Sequence, residues 1–325
     1  MTTDATKGAP MLQTWLTDRF QLAVPVIGAP MAGPGEGALA AAVSAAGGLG
    51  MFGVGSSRSP GWVAEQAAVA GAGGRPFGVG LAAWILDEDD AQLDAVIAAR
   101  PTLVSVSFGT FEPYVARLRD AGIPVTTQAG NLDDARRAER AGVDLLVARG
   151  GEAGGHGRNE VSTLPLLQMV LDRVEVPVVA AGGIGTARGL AAVLAAGAVG
   201  AWVGTAFLGC REASNSPAAR QQLFAADGAA TAYGRVFDVA QRLGWPSEYG
   251  GRALRNRFFD RWATRLEELA EDDDAVRALA EARSAEDFAT AYLYAGQGVA
   301  LLTRERGAAD VLADLAGAEE LMRRL

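Results

Sequence analysis

The chain has 325 residues, half of them hydrophobic, and a formal charge of −9. Every basic residue except Lys7 is arginine, and the acidic balance argues against nucleic acid or an anionic membrane surface as a partner. With one cysteine, Cys210, and one histidine, His156, an internal disulfide is excluded, no metal site is expected, and a reducing compartment, the cytoplasm, is expected.

The first residues are polar and acidic around Asp4, without the apolar stretch of a signal peptide. From there, apolar runs bounded by Gly or Pro alternate with helical patterns. The predicted strands are Val24–Ala29, Leu49–Val54, Phe77–Leu81, Leu103–Ser107, Pro124–Thr127, Asp144–Ala148, Pro177–Ala181 and Gly200–Val203. Their spacing, roughly 20 to 33 residues, leaves room each time for a strand, a helix and two loops. Near-continuous hydrophobicity fits parallel strands covered on both faces. Ala46-Gly47, Ala121-Gly122, Ala141-Gly142 and Ala196-Gly197 read as helix stops feeding the next strand. Two uncharged windows, Gly37–Ser57 and Gly189–Cys210, are long enough to span a bilayer. Glycines divide each into an Ala-rich half and a β-like half, so a soluble protein with no membrane partner is expected.

This order predicts an α/β fold, a (β/α)8 barrel of TIM type over residues 1–210. An open doubly wound sheet has the same local pattern. Residues 211–325 show no strand signal and read as a helical subdomain that packs on or caps the barrel. In it, Glu271-Asp272-Asp273-Asp274 reads as a solvated helix start. Nothing in the pattern specifies an oligomeric state.

After the sixth strand comes Ala148-Arg149-Gly150-Gly151-Glu152-Ala153-Gly154-Gly155-His156-Gly157-Arg158. Glycines at this density let a backbone turn tightly and approach a ligand closely. A barrel places its active-site groups on such loops at the strand ends, which makes His156 a candidate rather than a chance surface histidine. Further on, Ala180-Ala181-Gly182-Gly183-Ile184-Gly185-Thr186 ends one strand and opens a helix, and Val203-Gly204-Thr205 ends the next. Free N–H groups with a helix end behind them suit a phosphate. Its charge would be met by those groups and by Arg188, since the one lysine is remote in sequence. A dinucleotide fingerprint through Gly183 and Gly185 is the rival, but its third glycine is displaced to Gly189. No lysine stands near a strand end for Schiff-base chemistry, and no Gly-x-Ser-x-Gly elbow is present. Cys210, beyond the last strand, reads as a buried apolar residue. The hard chemistry therefore falls to an organic cofactor.

Four motifs in order, Gly28-Ala29-Pro30-Met31, Glu152-Ala153-Gly154-Gly155-His156, Ala180-Ala181-Gly182-Gly183-Ile184 and Gly204-Thr205-Ala206-Phe207-Leu208, resemble the nitronate monooxygenases, once called 2-nitropropane dioxygenases. The likeness continues through Gly251-Arg252-Ala253-Leu254-Arg255-Asn256 and Tyr294-Ala295-Gly296-Gln297-Gly298. It implies an FMN-dependent barrel that oxidises a small nitronate or nitroalkane with O2 to a carbonyl compound and nitrite. On this resemblance Ala29, Pro30 and Met31 would line the flavin ring through backbone groups, with Gly80 and Gln128 bordering it. Gly154 and Gly155 would let the ring lie against bare backbone. Gly182, Gly183, Gly204 and Thr205 would hold the phosphate. His156 would face the substrate, as base toward a nitroalkane or hydrogen-bond partner to a nitronate. Departures stand at Gly28, Gly80 and Arg149, where many members carry Gln, Asn and Gln. Arg149 near the flavin would favour an anion. Flavin-dependent enoyl-acyl-carrier-protein reductases share the fold and a similar Gly-Gly-His loop, so an NAD(P)H-driven reductase is the alternative. A barrel that binds a phosphorylated ligand without catalysis is a third reading. Trp84, Tyr249 and Arg252 are candidates for the substrate walls.

Overall fold

All eight apolar runs form parallel strands. The structure, a computed structural model, describes residues 12–324, so Asp4 and Lys7 lie outside the described residues. The barrel strands are β1 (Val26–Gly28), β2 (Leu49–Gly53), β3 (Phe77–Ala82), β4 (Leu103–Ser107), β5 (Val125–Ala129), β6 (Leu145–Arg149), β8 (Val178–Ala181) and β9 (Gly200–Val203). Between β6 and β8 lies a short extra strand, β7 (Gly155–His156). The sheet closes where β1 pairs with β9, Ile27 opposite Trp202, which decides for a barrel over an open sheet.

Alternation along the strands sends one set of side chains inward and the other toward the helices. Ile27, Leu49, Met51, Leu103, Leu145, Val147, Val179 and Trp202 pack together as one cluster, with Leu16 and Phe20 of the helix Trp15–Phe20. Val26, Phe52, Val79, Val104, Leu146 and Val203 belong to the larger cluster shared with the surrounding helices. Each such fully buried side chain contributes about 1.5–3 kcal/mol relative to exposure. The four glycines of the Ala-Gly pairs have φ between +74° (Gly122) and +106° (Gly197), the left-handed conformation that ends a helix. Both uncharged windows resolve into a helix followed by a strand, Gly37–Ala45 with β2 and Ala187–Ala195 with β9. Among the described residues no helix is long and apolar enough to cross a membrane.

The region after Cys210 departs from the all-helical expectation. It contains β10 (Thr231–Gly234) and β11 (Gly251–Leu254), an antiparallel pair. β11 also pairs antiparallel with β7, placing Gly251 opposite His156 and Arg252 opposite Gly155. The His156 loop is therefore the third strand of a sheet whose other two strands come from this later region. Helix Asp273–Ser284 starts as expected from the acidic run, with the Asp272 carboxylate accepting from the Ala275 N–H. The chain then returns to the barrel. Helices Ala308–Ala316 and Ala318–Arg323 pack on Ala187–Ala195, and the first of them also on Gly37–Ala45. Their Val311, Leu312 and Leu315 are part of the barrel's outer core. Residues 211–306 thus form an insertion over the strand ends, and the last helices belong to the barrel shell.

Candidate active site

The C-terminal strand ends and the insertion enclose a cavity of about 1050 Å3. Ala29, Pro30 and Met31 after β1, Gly80 in β3, and Gln128 in β5 all line it. So do Arg149, Gly154, Gly155 and His156, and so do Gly182 and Gly183 after β8 and Gly204 and Thr205 after β9. The expected catalytic and cofactor-binding residues are therefore on one wall system, although their local roles differ.

Arg149 organises the loop from beneath. Its guanidinium is 4% exposed and donates to the carbonyls of Arg158, Ala153, Gly154 and Gly155 at 3.0–3.2 Å. Burial pushes it down to about 10, with no carboxylate within ion-pair distance among the described residues. Its N–H groups are committed to the loop, so any effect on the cavity comes through its charge. Arg252 works beside it, donating to Gly151 O at 2.8 Å and to Asn159 and Thr231 side chains. Arg252 and Tyr249 do not line the cavity, whereas Trp84 does.

The glycines separate in the same way. A Cβ on Gly154 would fall 2.4 Å from Gly296 N, so close packing against the segment Tyr294–Gly298 requires glycine here. A Cβ on Gly80 would meet Pro30 at 2.3 Å. Gly155 and Gly183 differ, with φ of +68° and +70° and nothing within 4 Å of a built Cβ. Their faces are open. No group among the described residues accepts from the N–H of Gly183 or Gly185, and the helix Ala187–Ala195 begins just beyond, capped by the Thr186 side chain. That is the arrangement an anion takes. Thr205 Oγ1 accepts from Gly296 N at 3.0 Å and keeps its own proton to donate. Arg188 is exposed and does not line the cavity, which corrects its part in meeting a phosphate.

His156 is held on two sides by groups that sequence reasoning missed. Its Nε2 lies 2.7 Å from Oδ1 of Asp238, which is 2% exposed. Trp245 lies parallel to the ring, 3.6 Å between centroids and 3° apart in plane. Tyr294 stands 5.1 Å away and also reaches Asp238. Trp84 and Phe108 pack on Trp245 at 5.2 and 5.3 Å. Phe108 holds a strained φ of +67°, and its carbonyl accepts from Trp84 N, tying the loops after β3 and β4 together. One signal for Asp238 was available, a lone acid between Phe237 and Val239 in an apolar helix.

The sequence profile described as nitronate monooxygenase matches residues 83–317, from the loop after β3 to the end of the first returning helix. The chain belongs to the nitronate monooxygenase family. A nitronate monooxygenase of Pseudomonas aeruginosa is 35% identical over 92% of this chain and 98% of its own length. Among solved structures, FabK from Thermotoga maritima superposes with a TM-score of 0.83 at 28% identity, covering 96% of this chain and 98% of that one. The nitroalkane oxidase from Streptomyces ansochromogenes gives 0.81 at 32% identity, covering 95% and 99%. These matches span both barrel and insertion, so the family shares the TIM-type barrel and its roof. The chain is an oxidoreductase of that family.

Proposed function

We propose that this family member binds one FMN in the cavity and uses O2 to oxidise small nitroalkanes or nitronates to a carbonyl compound and nitrite. The observation that carries the reading is His156, an imidazole fixed in the cavity wall by a buried carboxylate, in the same cavity as the open glycine face after β8. That face suits the cofactor's chemistry. Unbonded N–H groups at Gly183 and Gly185, the Thr205 hydroxyl and a helix start would hold the phosphate, with Gly182 and Gly204 completing the turn. Ala29, Pro30, Met31, Gly155 and the Gln128 amide would border the ring, the amide having no partner among the described residues.

When bound, FMN supplies the electron acceptor and the route from it to O2. The protein's part is proton transfer, orientation and charge. His156 takes the α-proton of a nitroalkane, and the electron pair of that C–H bond stays on the substrate as the nitronate. The uncompensated guanidinium of Arg149 beneath the loop biases the cavity toward this anion. Trp84, Phe108 and Trp245 wall the cavity near the base and exclude water there.

The test is anaerobic stopped-flow reduction of the bound flavin by a nitroalkane and, separately, by its pre-formed nitronate. His156→Ala should lose ~10²–10⁴-fold with the nitroalkane, the usual worth of a general base, and much less with the nitronate, which has already lost the proton. Equal rates in both proteins would remove His156 from the reaction. Flavin reduction by NADPH and by neither nitro form would move the chain to the reductase reading.

A further inference from the structure

The two nitrogens of His156 have different surroundings. Nε2 faces Asp238 Oδ1 at 2.7 Å. The same oxygen lies 3.3 Å from the hydroxyl of Tyr294. Desolvation, and after it the Asp238 carboxylate, hold the Tyr294 phenol well above its ordinary value, so it meets Asp238 as an O–H donor. An ionised carboxylate can only accept. With Tyr294 donating from one side, Nε2 must donate from the other. The neutral ring then carries its proton on Nε2 and its lone pair on Nδ1. No group among the described residues bonds Nδ1, and the ring lies in the cavity wall. Trp245, parallel at 3.6 Å, covers one face of the ring and hinders it from flipping.

From these contacts we propose that Asp238 is a positioning residue, which locks His156 as the Nε2–H tautomer and so makes Nδ1 the atom that receives the substrate proton. The assignment rests on the nitro reading above for its substrate. As the C–H bond breaks, the proton passes to Nδ1 and the electron pair remains on the substrate. The ring becomes a cation, stabilised by the carboxylate on its other nitrogen, and Asp238 itself takes no proton. The proton leaves Nδ1 later, to water or product in the cavity. Asp238, Trp245 and Tyr294 all come from the insertion, while the base sits on the barrel's own loop. Barrel and insertion each hold half of the acid–base unit.

The test uses the flavin-loaded protein without a polyhistidine tag, labelled with 15N in the imidazole. Because His156 is the sole histidine, a long-range 1H–15N correlation spectrum contains one ring. With the ring neutral, the expected spectrum shows a protonated Nε2 and an unprotonated Nδ1. A proton on Nδ1 in the neutral ring overturns the assignment, and this wild-type result decides even where a variant fails to fold. Asp238→Asn can donate as well as accept, so the expected spectrum is a mixed or reversed tautomer. Reduction by the nitroalkane should then fall ~10²-fold or more, and by the nitronate less than about tenfold. An unchanged tautomer in Asp238→Asn, with both substrate forms slowed equally, would show that Asp238 only holds the insertion in place, and would overturn the proposal. A wild-type protein with the Nε2–H ring that oxidises neither nitro form rejects the nitro reading and leaves the tautomer assignment standing.

Discussion

Replacing Arg149 by Met keeps much of the side chain's bulk and removes only its donors. Three carbonyls, those of Ala153, Gly154 and Gly155, share Nη2, and Arg158 O accepts from Nη1. Counted by available N–H groups this is about two to three full bonds, each worth ~1.5–3 kcal/mol when the donor is charged. Burial of the guanidinium, pushed down to about 10, offsets part of that. A net loss of about 3–5 kcal/mol is expected, as for breaking a buried charged network by removing one member. At ~2–3 °C per kcal/mol for a domain of this size, the melting temperature should drop by about 6–15 °C. The loop would lose its floor, β7 would loosen against β11, and His156 would part from Asp238. Thermal unfolding followed by circular dichroism reads the first effect, and flavin content of the purified variant reads the second. A melting temperature within about 2 °C of wild type would refute the claim that Arg149 holds the loop, because surface changes alone produce shifts that small.

Gly183→Asp should purify with little flavin, since it adds a carboxylate where a phosphate is proposed, and undiminished flavin absorbance would reject that placement. Gly154→Ala should destabilise more than Gly155→Ala. The first drives a methyl to 2.4 Å from Gly296 N, costing about 1–3 kcal/mol or more, while the second meets open space and costs the ~1–2 kcal/mol of a left-handed non-glycine residue. Melting temperatures in the opposite order would contradict this reading of the loop. Cys210 is buried, and desolvation pushes its thiol up from 9.0 to about 12. The unfolded chain therefore gives up this proton while the folded chain keeps it, so its contribution to stability falls as pH rises from about 9 to about 12. Below that window a thiol reagent should label the native protein far more slowly than the urea-unfolded one, and equal rates would show that the side chain is accessible.

The barrel was legible because its strands are buried on both faces. Most read as a short apolar run such as Leu145–Ala148, and four of them follow an Ala-Gly stop. β10 and β11 escaped the same test. Thr-Ala-Tyr-Gly and Gly-Arg-Ala-Leu are four residues each, interrupted by a charge or glycines, and β10 is only half-buried. They owe their strand form to pairing with each other and, for β11, with β7, long-range contacts that local pattern does not encode. The site divided similarly. Glycines and His156 stood out by composition, but the groups that hold the imidazole did not, since Asp238 lies 82 positions away in the sequence. The physical cause of each glycine was also hidden. Gly154 and Gly155 look alike in the sequence, yet one faces a packed backbone and the other open space.

The return of the chain to the barrel after the insertion bears on how the protein is made. Helices Gly37–Ala45 and Ala187–Ala195 are translated well before the helix that packs on both, Ala308–Ala316. Until then the apolar surface that Val311, Leu312 and Leu315 cover is exposed on a nascent chain. Premature termination near residue 210 would yield all eight strands and still leave the shell open at the seam between first and last units. Such a fragment should be a client of chaperones rather than a small barrel in its own right.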